Sequence, residues 1–338
     1  MSSNARHLSD QQPGHGPIPG GQVGYLVATA ARAPSLHNTQ PWRFRIAPSA
    51  VEVHADRRRG LPAEDPAGRE LLISCGAAIF GLRLAIRQLG RLPVVTLLPD
   101  PGRPDLLAEL TLGREAPVTA DEWELLAAVP HRHTHRGPFA AEPLPDGLLA
   151  GLRHDAAAEG ATLVLIGEGG ARQTLKHLVV AAARWQRRNP VFQEEVRRWT
   201  RPEHSLSRDG VPTRALRATP LDPDERLAQR DFGLGRPAGL LKVGGPPSAM
   251  TAILITAGDT PADWLRAGQA LNRMLIHAAS RWVFADLNSQ PMESPLIRAL
   301  IRDRLALPGV PQLLLEFGRA RTAAATARRP VGELLIED

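Results

Sequence analysis

The chain has a single cysteine, Cys75, and only two lysines, Lys176 and Lys242, in 338 residues. One cysteine excludes an internal disulfide framework and a cysteine-rich zinc site, so redox chemistry, if present, must come from a cofactor. Aromatic residues make up 4% of the chain, too few for a base-stacking surface, and the basic residues are interspersed with acidic ones. The net charge of +6 and the pI near 10.6 are therefore weak grounds for nucleic-acid binding, and no nucleic-acid partner is expected. No apolar run approaches the roughly 18 residues of a membrane span, and the start, Met1 to His7, lacks the apolar core of a secretory signal. The expectation is a cytoplasmic protein without a membrane partner. Strings of the form GxGxxG after a strand, GxxxxGK[ST], HExxH and GxSxG are also missing, which removes the simplest Rossmann, P-loop, zincin and α/β-hydrolase readings.

What is there is 43% apolar, ordinary for a globular protein. Residues 1–20 hold Pro13, Pro17 and Pro19 with hardly an apolar residue, and read as a disordered tail. Spacing then predicts a helix from Val23 to Arg32, strands from Trp42 to Ile46 and Val51 to Val53, and a long helix from Gly68 to Gln88. Strands follow at Val94 to Leu98 and Leu106 to Leu112. A second half opens near Val129, with a helix from Asp146 to Glu159, a strand from Thr162 to Ile166 and a helix from Ala171 to Gln186. Between about Asn189 and Gly245 the periodicity fails, as expected of a lid, a binding loop or a linker. It resumes with a strand from Ile253 to Thr256, helices from Asp263 to Phe284 and Pro295 to Leu305, and a strand from Gln312 to Phe317. Gly76-Ala77-Ala78 with Leu112-Gly113-Arg114 is echoed by Gly268-Gln269-Ala270 with Phe317-Gly318-Arg319, so the halves read as a diverged tandem repeat.

Chemistry concentrates first in Arg32-Ala33-Pro34-Ser35-Leu36-His37-Asn38-Thr39-Gln40-Pro41-Trp42. Hydroxyl, imidazole and two amides sit on a loop stiffened by prolines, a donor and acceptor set that suits a planar polar heterocycle. The plainer reading is that Ser35 and Asn38 close the helix and Trp42 starts the core. The second constellation is His131-Arg132-His133-Thr134-His135-Arg136-Gly137-Pro138-Phe139. Its alternate histidines could share a strand face and hold a metal, or the run could be a solvated basic loop. Third is Asn288-Ser289-Gln290-Pro291-Met292-Glu293-Ser294, a turn between two helices with Ser294 capping the second. Ala327-Arg328-Arg329-Pro330 follows the last strand.

The first string resembles the APSxxNTQPW loop of flavin-dependent nitroreductases, and in particular of their Acg branch, in which two nitroreductase units are fused in one chain. Through that resemblance Ser35, Asn38 and Gln40 would contact the isoalloxazine edge. The second string is similar to the RRSxRxF segment that holds the FMN phosphate and ribityl chain, which places Arg132, His133, Thr134 and Arg136 as ligands, with His133 in place of an arginine. The third resembles a P-[IM]-E-G stretch, in which the Met292–Glu293 backbone would face flavin N5. The fourth resembles a KxRxP tail, placing Arg328 and its neighbour Arg329 at the phosphate. No metal ligands are implied. Because the first loop lies in one half and the other three segments in the other, one complete FMN site per chain is expected.

The resemblance implies an α+β fold of two nitroreductase-like units, 21–128 and 129–338, with a lid inserted at about 189–245. Each unit would be a mostly antiparallel sheet flanked by helices, and the two would form an intramolecular pseudo-dimer. It further implies an FMN-dependent two-electron oxidoreductase with a small-molecule electron donor and a nitroaromatic, quinone or other acceptor. The chain would be a monomer or a weak homo-oligomer. The rival implied function is storage or sequestration of FMN under a closed lid, without turnover.

Overall fold

The computed structural model describes residues 18, 20–136, 139–213, 227, 230, 232, 249–320 and 326–337. The expected tail thus lies almost wholly outside the described residues, as does much of the expected lid beyond residue 213. The first half contains α1 (Val23–Ala30), β1 (Trp42–Ile46), β2 (Ala50–Ala55), α2 (Arg69–Gln88), β3 (Arg91–Leu97) and β4 (Leu106–Glu115). Its strands form an antiparallel sheet in the order β1-β2-β4-β3. Pro93 is accommodated because β3 is an edge strand, where a missing N–H leaves no ladder partner unpaired.

The chain continues through α3 (Ala120–Ala128), α4 (Leu148–Ala158), β5 (Thr162–Leu165), α5 (Gly170–Arg188) and α6 (Pro190–Trp199). The two-residue strands β6 (Thr200–Arg201) and β7 (Val211–Pro212) pair with each other. Then come β8 (Ala249–Thr256), α7 (Pro261–Ser280), β9 (Val283–Leu287), α8 (Gln290–Glu293), α9 (Pro295–Arg304), β10 (Val310–Arg319) and α10 (Val331–Leu334). The second large sheet is also antiparallel, in the order β5-β8-β10-β9. Each large sheet therefore runs first, second, fourth, third in its own strand sequence, with a long helix between its second and third strands.

Those two helices, α2 and α7, pack on each other through the glycines that the sequence repeats. A Cβ on Gly268 would lie 2.0 Å from the Ile73 carbonyl oxygen, and one on Gly76 would lie 2.2 Å from that of Leu265. Only glycine permits this approach, because close-packed backbones cannot yield the missing ångström. The cores interlock as a result: Leu265 of α7 is buried with the first sheet's core and Ile73 of α2 with the second's. Asn272 ties the pair by donating to the Ala77 carbonyl at 2.8 Å.

Four local expectations are corrected. Residues 190–199 form α6 rather than aperiodic chain: Asn189 accepts the Val191 N–H, Pro190 opens the first turn, and Phe192, Val196 and Trp199 are buried at helical spacing. The helix predicted to reach Phe284 ends at Ser280, because Trp282 takes a left-handed φ of 55° and turns the chain into β9. Helix α3 goes unpredicted because it has few buried positions; a capping box between Thr119 and Glu122 starts it. The stretch from Asn288 to Ser294 joins a strand to a helix, and its Gln290–Glu293 part is itself the helical turn α8. Ser294 does cap α9, accepting the Ile297 N–H at 3.4 Å.

Candidate functional site

Between α1 and β1 the backbone is strained. His37, Asn38 and Gln40 have φ of 49°, 56° and 50°, a region non-glycine residues seldom occupy. Side-chain bonds hold them there. Ser35 Oγ accepts the Gln40 N–H at 3.0 Å. The Asn38 amide donates to the carbonyls of Gly210 at 3.1 Å and Ala327 at 3.2 Å, and accepts from Arg328 at 3.0 Å. Gln40 donates to the Arg208 carbonyl at 2.8 Å and accepts the Arg329 N–H at 2.8 Å. The loop thus binds residues 208–210 from one direction and the 327–329 tail from another. Ser35 keeps its hydroxyl hydrogen without an acceptor among the described residues, whereas both amide groups are fully engaged.

The run from His131 to Arg136 is not a solvated loop, since Arg132, His133 and His135 are buried. It lies along β9, with Thr134 bridged in parallel to Ala285 and the His135 N–H donating to the Ala285 carbonyl at 2.8 Å. The three imidazoles face three different rings, those of Trp282, Phe284 and Phe139. Among the described residues no cluster of metal-ligating side chains forms.

Here the long-range fold brings cations together. Arg132 donates to the Arg32 carbonyl at 2.6 Å, while its other terminal nitrogen, Nη1, is buried with no hydrogen-bond partner among the described residues. Burial and the facing charges of Arg328, Arg136 and Arg32 push the Arg132 guanidinium well below its ordinary range. Arg328, anchored to the carbonyls of Ala31 at 2.9 Å and Ala33 at 3.1 Å, is pushed down to about 10 by burial and by Arg32 and Arg136. Burial lowers Arg136 as well, and the Asp286 carboxylate opposes that shift. Beside them, burial holds His133 down at about 4. Its Nδ1 lies 2.8 Å from the His131 carbonyl and so carries the proton, which leaves Nε2 a buried acceptor without a partner among the described residues. Converging guanidiniums, an orphaned donor and an orphaned acceptor form a cradle for a polyanion that also carries hydroxyl donors.

A second cluster was not visible in the sequence. His37 lies 2.6 Å from Glu64, Glu64 lies 3.0 Å from Arg230, and Arg230 also bonds Glu293, all of them buried. Phe232 packs edge-on against the His37 ring at 5.1 Å. Arg230 and His37 hold Glu64 below the usual carboxylate range against the opposing effect of burial. Nothing in the spacing of residues 37, 64, 230 and 293 signals this chain of charges. Glu293 further accepts from Gln186 at 2.7 Å, and Met292 offers its carbonyl to Arg69 at 3.2 Å. The N–H groups of Met292 and Glu293 both donate to the Ser289 carbonyl as α8 closes its turn.

The fold therefore joins Asn38 to Arg328 and Gln40 to Arg329 directly, with Ser35 bonded to Gln40, and sets Arg132 and Arg136 near Arg328, with His133 near Arg132 and Arg136 and Thr134 bridged to Ala285 on the same segment. Met292 and Glu293 reach the same loop indirectly, Glu293 through Arg230, Glu64 and His37. The Arg329 side chain turns away to Glu333, so its link to the loop is its backbone N–H. Arg32 joins the cluster although its place in the string Arg32 to Trp42 had given it no role.

No family model matches the chain. A solved nitroreductase with bound FMN from Desulfitobacterium hafniense DCB-2 aligns with 64% of this chain and 98% of its own at 13% identity and a TM-score of 0.39, a likeness too distant to bear on the site. Whole-length relatives are nearer. The Mycobacterium tuberculosis protein named "Putative NAD(P)H nitroreductase acg" is 28% identical over 91% of this chain and 93% of its own length. Another M. tuberculosis protein, named "Putative NAD(P)H nitroreductase Rv3131", is 32% identical over 92% of this chain and 90% of its own. With the loop, tail and sheet architecture above, this similarity over nearly the full length means that the chain belongs to the Acg-type NAD(P)H nitroreductase family.

Proposed function

We propose that the chain binds one FMN and is a two-electron oxidoreductase of the nitroreductase type, taking electrons from a nicotinamide donor and passing them to a nitroaromatic, quinone or similar acceptor. The observation that carries this reading is the convergence of four guanidiniums, Arg32, Arg132, Arg136 and Arg328, with Nη1 of Arg132 buried and without a hydrogen-bond partner among the described residues. A phosphate dianion is the complement of such a set, because forked guanidinium contacts neutralise it and give the orphaned Nη1 a partner. His133 Nε2 would accept from a ribityl hydroxyl, and Thr134 lies on the same segment. FMN, when bound, supplies the electron chemistry; the residues bind it, orient it and keep water out.

In this reading the two sheets with crossed α2 and α7 are two nitroreductase-like units fused as an internal pseudo-dimer, 21–128 and 129–338, in the cytoplasm, and the site uses segments of both. Ser35 is the loop's available donor to the isoalloxazine edge, with Asn38 and Gln40 positioning it. The Met292–Glu293 turn closes the opposite side. Denaturing the FMN-saturated protein should release one flavin per chain; two, or none after reconstitution, would reject the assignment.

One observation favours the storage reading as a second possibility for the same site. The amides of Asn38 and Gln40 are satisfied by carbonyls at 208 and 210, so the proposed lid is latched onto the loop that would meet the flavin. Mixing flavin-loaded protein with NADPH and NADH in a stopped-flow instrument separates the two readings. Rapid bleaching by either nicotinamide supports turnover, and bleaching by dithionite alone supports storage.

A further inference from the structure

A recess of about 360 Å³ opens beside the Gln40 loop, lined by Leu206, Ser207, Arg208, Asp209, Arg329 and Glu333. Gln40 joins its two walls, donating to the Arg208 carbonyl and accepting from the Arg329 N–H. Its charges do not cancel. Asp209 is already taken by Arg59 and Arg201, and Glu333 by Arg329. Asp56, whose carboxylate Arg329 also stabilises, is bonded by Arg58 at 2.8 Å. Five guanidiniums thus meet three carboxylates. One surplus charge is shared by Arg59 and Arg201 on Asp209 and the other is Arg208, whose guanidinium has no partner among the described residues; Arg329, though paired with Glu333, keeps Nη1 buried without a hydrogen bond among the described residues. The Ser207 hydroxyl adds a donor, and Leu206, 96% exposed, adds an apolar edge.

The recess is of the size that holds an organic ligand rather than a bare ion, and its polar groups are those that recognise a phosphomonoester. We infer that it takes the adenosine 2′-phosphate end of a phosphorylated nicotinamide dinucleotide, so that this chain discriminates in favour of NADPH over NADH. The inference rests on the nitroreductase reading, since the donor must lie across the Gln40 loop with its nicotinamide at the flavin. A 2′-hydroxyl in place of the phosphate leaves Arg208 with no anion to bind and Arg329 Nη1 with no acceptor, and discrimination by charged hydrogen bonds of this kind is typically tenfold or more.

The test is calorimetric titration of the flavin-loaded full chain with 2′,5′-ADP, 5′-AMP and inorganic phosphate, repeated in Arg208→Gln and Arg208→Lys. Arg208 is exposed, so neither change threatens folding. The expected result is 2′,5′-ADP binding at least tenfold tighter than 5′-AMP, with most of that preference lost in Arg208→Gln and part retained in Arg208→Lys. The ratio of KM for NADH to KM for NADPH should fall in parallel. Equal binding of the two nucleotides, or a preference unchanged by Arg208→Gln, overturns the inference. So does inorganic phosphate binding as tightly as 2′,5′-ADP, which would make the recess a simple anion site. If the protein proves to hold no flavin yet keeps an Arg208-dependent preference, the recess stands and the flavin reading falls; flavin present without the preference gives the reverse.

Discussion

Two arginine clusters in this protein differ in what faces them. Arg230 sits between the carboxylates of Glu64 and Glu293, and His37 completes the set. Arg132 and Arg328 face each other, Arg136 and Arg32. A buried charge that is paired with opposite charge within the chain has its field largely cancelled, so it serves to join segments. A buried charge that meets only like charges is costly in the protein alone and is compensated when an anion arrives. The comparison separates an arginine that holds the fold from one that awaits a ligand, which burial alone does not do.

Replacing the central cation of each cluster with methionine should break the contrast in opposite directions. Arg230→Met strands two buried carboxylates and should lose about 3–5 kcal/mol of stability in urea unfolding. Arg132→Met removes one of several repelling charges and should leave the flavin-free protein as stable as before or more so. Similar losses in both variants would show that the two clusters are alike after all.

Flavin affinity should show the opposite ranking. Arg136→Ala and Arg328→Ala each remove a guanidinium from a desolvated phosphate, which typically costs about 2–5 kcal/mol, a weakening of more than tenfold. Arg187→Ala, on the exposed side of α5, should bind FMN as the parent does. Equal flavin content in all three proteins would remove the phosphate cradle from consideration.

The smallest effect is a dependence on pH. His133 is held near 4 in the folded protein against 6.5 in the unfolded chain, so the unfolded state binds the extra proton between those values. Stability of the flavin-free protein should therefore rise as pH increases from about 4 to 6.5, by at most about 1.4 kcal/mol per pH unit from this group, and be lost as pH falls through the window. His133→Gln should flatten that slope in thermal melts recorded across the window. An unchanged slope would mean that another group titrates there. Bound phosphate should shift the window upward, because an adjacent anion favours the imidazolium.

Much of this was legible because local rules governed it. The spacing of Leu71, Cys75, Ile79, Leu82 and Ile86 gave α2 to within a residue at its start, and Pro34 ended α1 where a proline should. Phe284 was misplaced because Ala278, Ala279 and Trp282 continue a helical spacing; the left-handed turn at Trp282 is stabilised by the strand pairing that follows it, which no local pattern encodes. Helix α6 was hidden because its polar face dominates ten residues, and its buried face matters only once it meets the 61–65 loop, where Glu195 accepts the Glu64 N–H at 2.8 Å.

By itself the sequence determined most of the elements, the glycines at the contact of α2 and α7, and the four strings in which polar and basic side chains are concentrated. It did so because capping, periodicity and backbone freedom act over a few residues. Which arginines would be compensated was decided only by the tertiary structure. Residues 32, 132, 136 and 328 converge, and 64, 230 and 293 pair, through contacts spanning up to 297 residues. The Coulomb interactions that distinguish a structural cation from a ligand-binding one depend on separation in space, and separation along the chain carries almost no record of it.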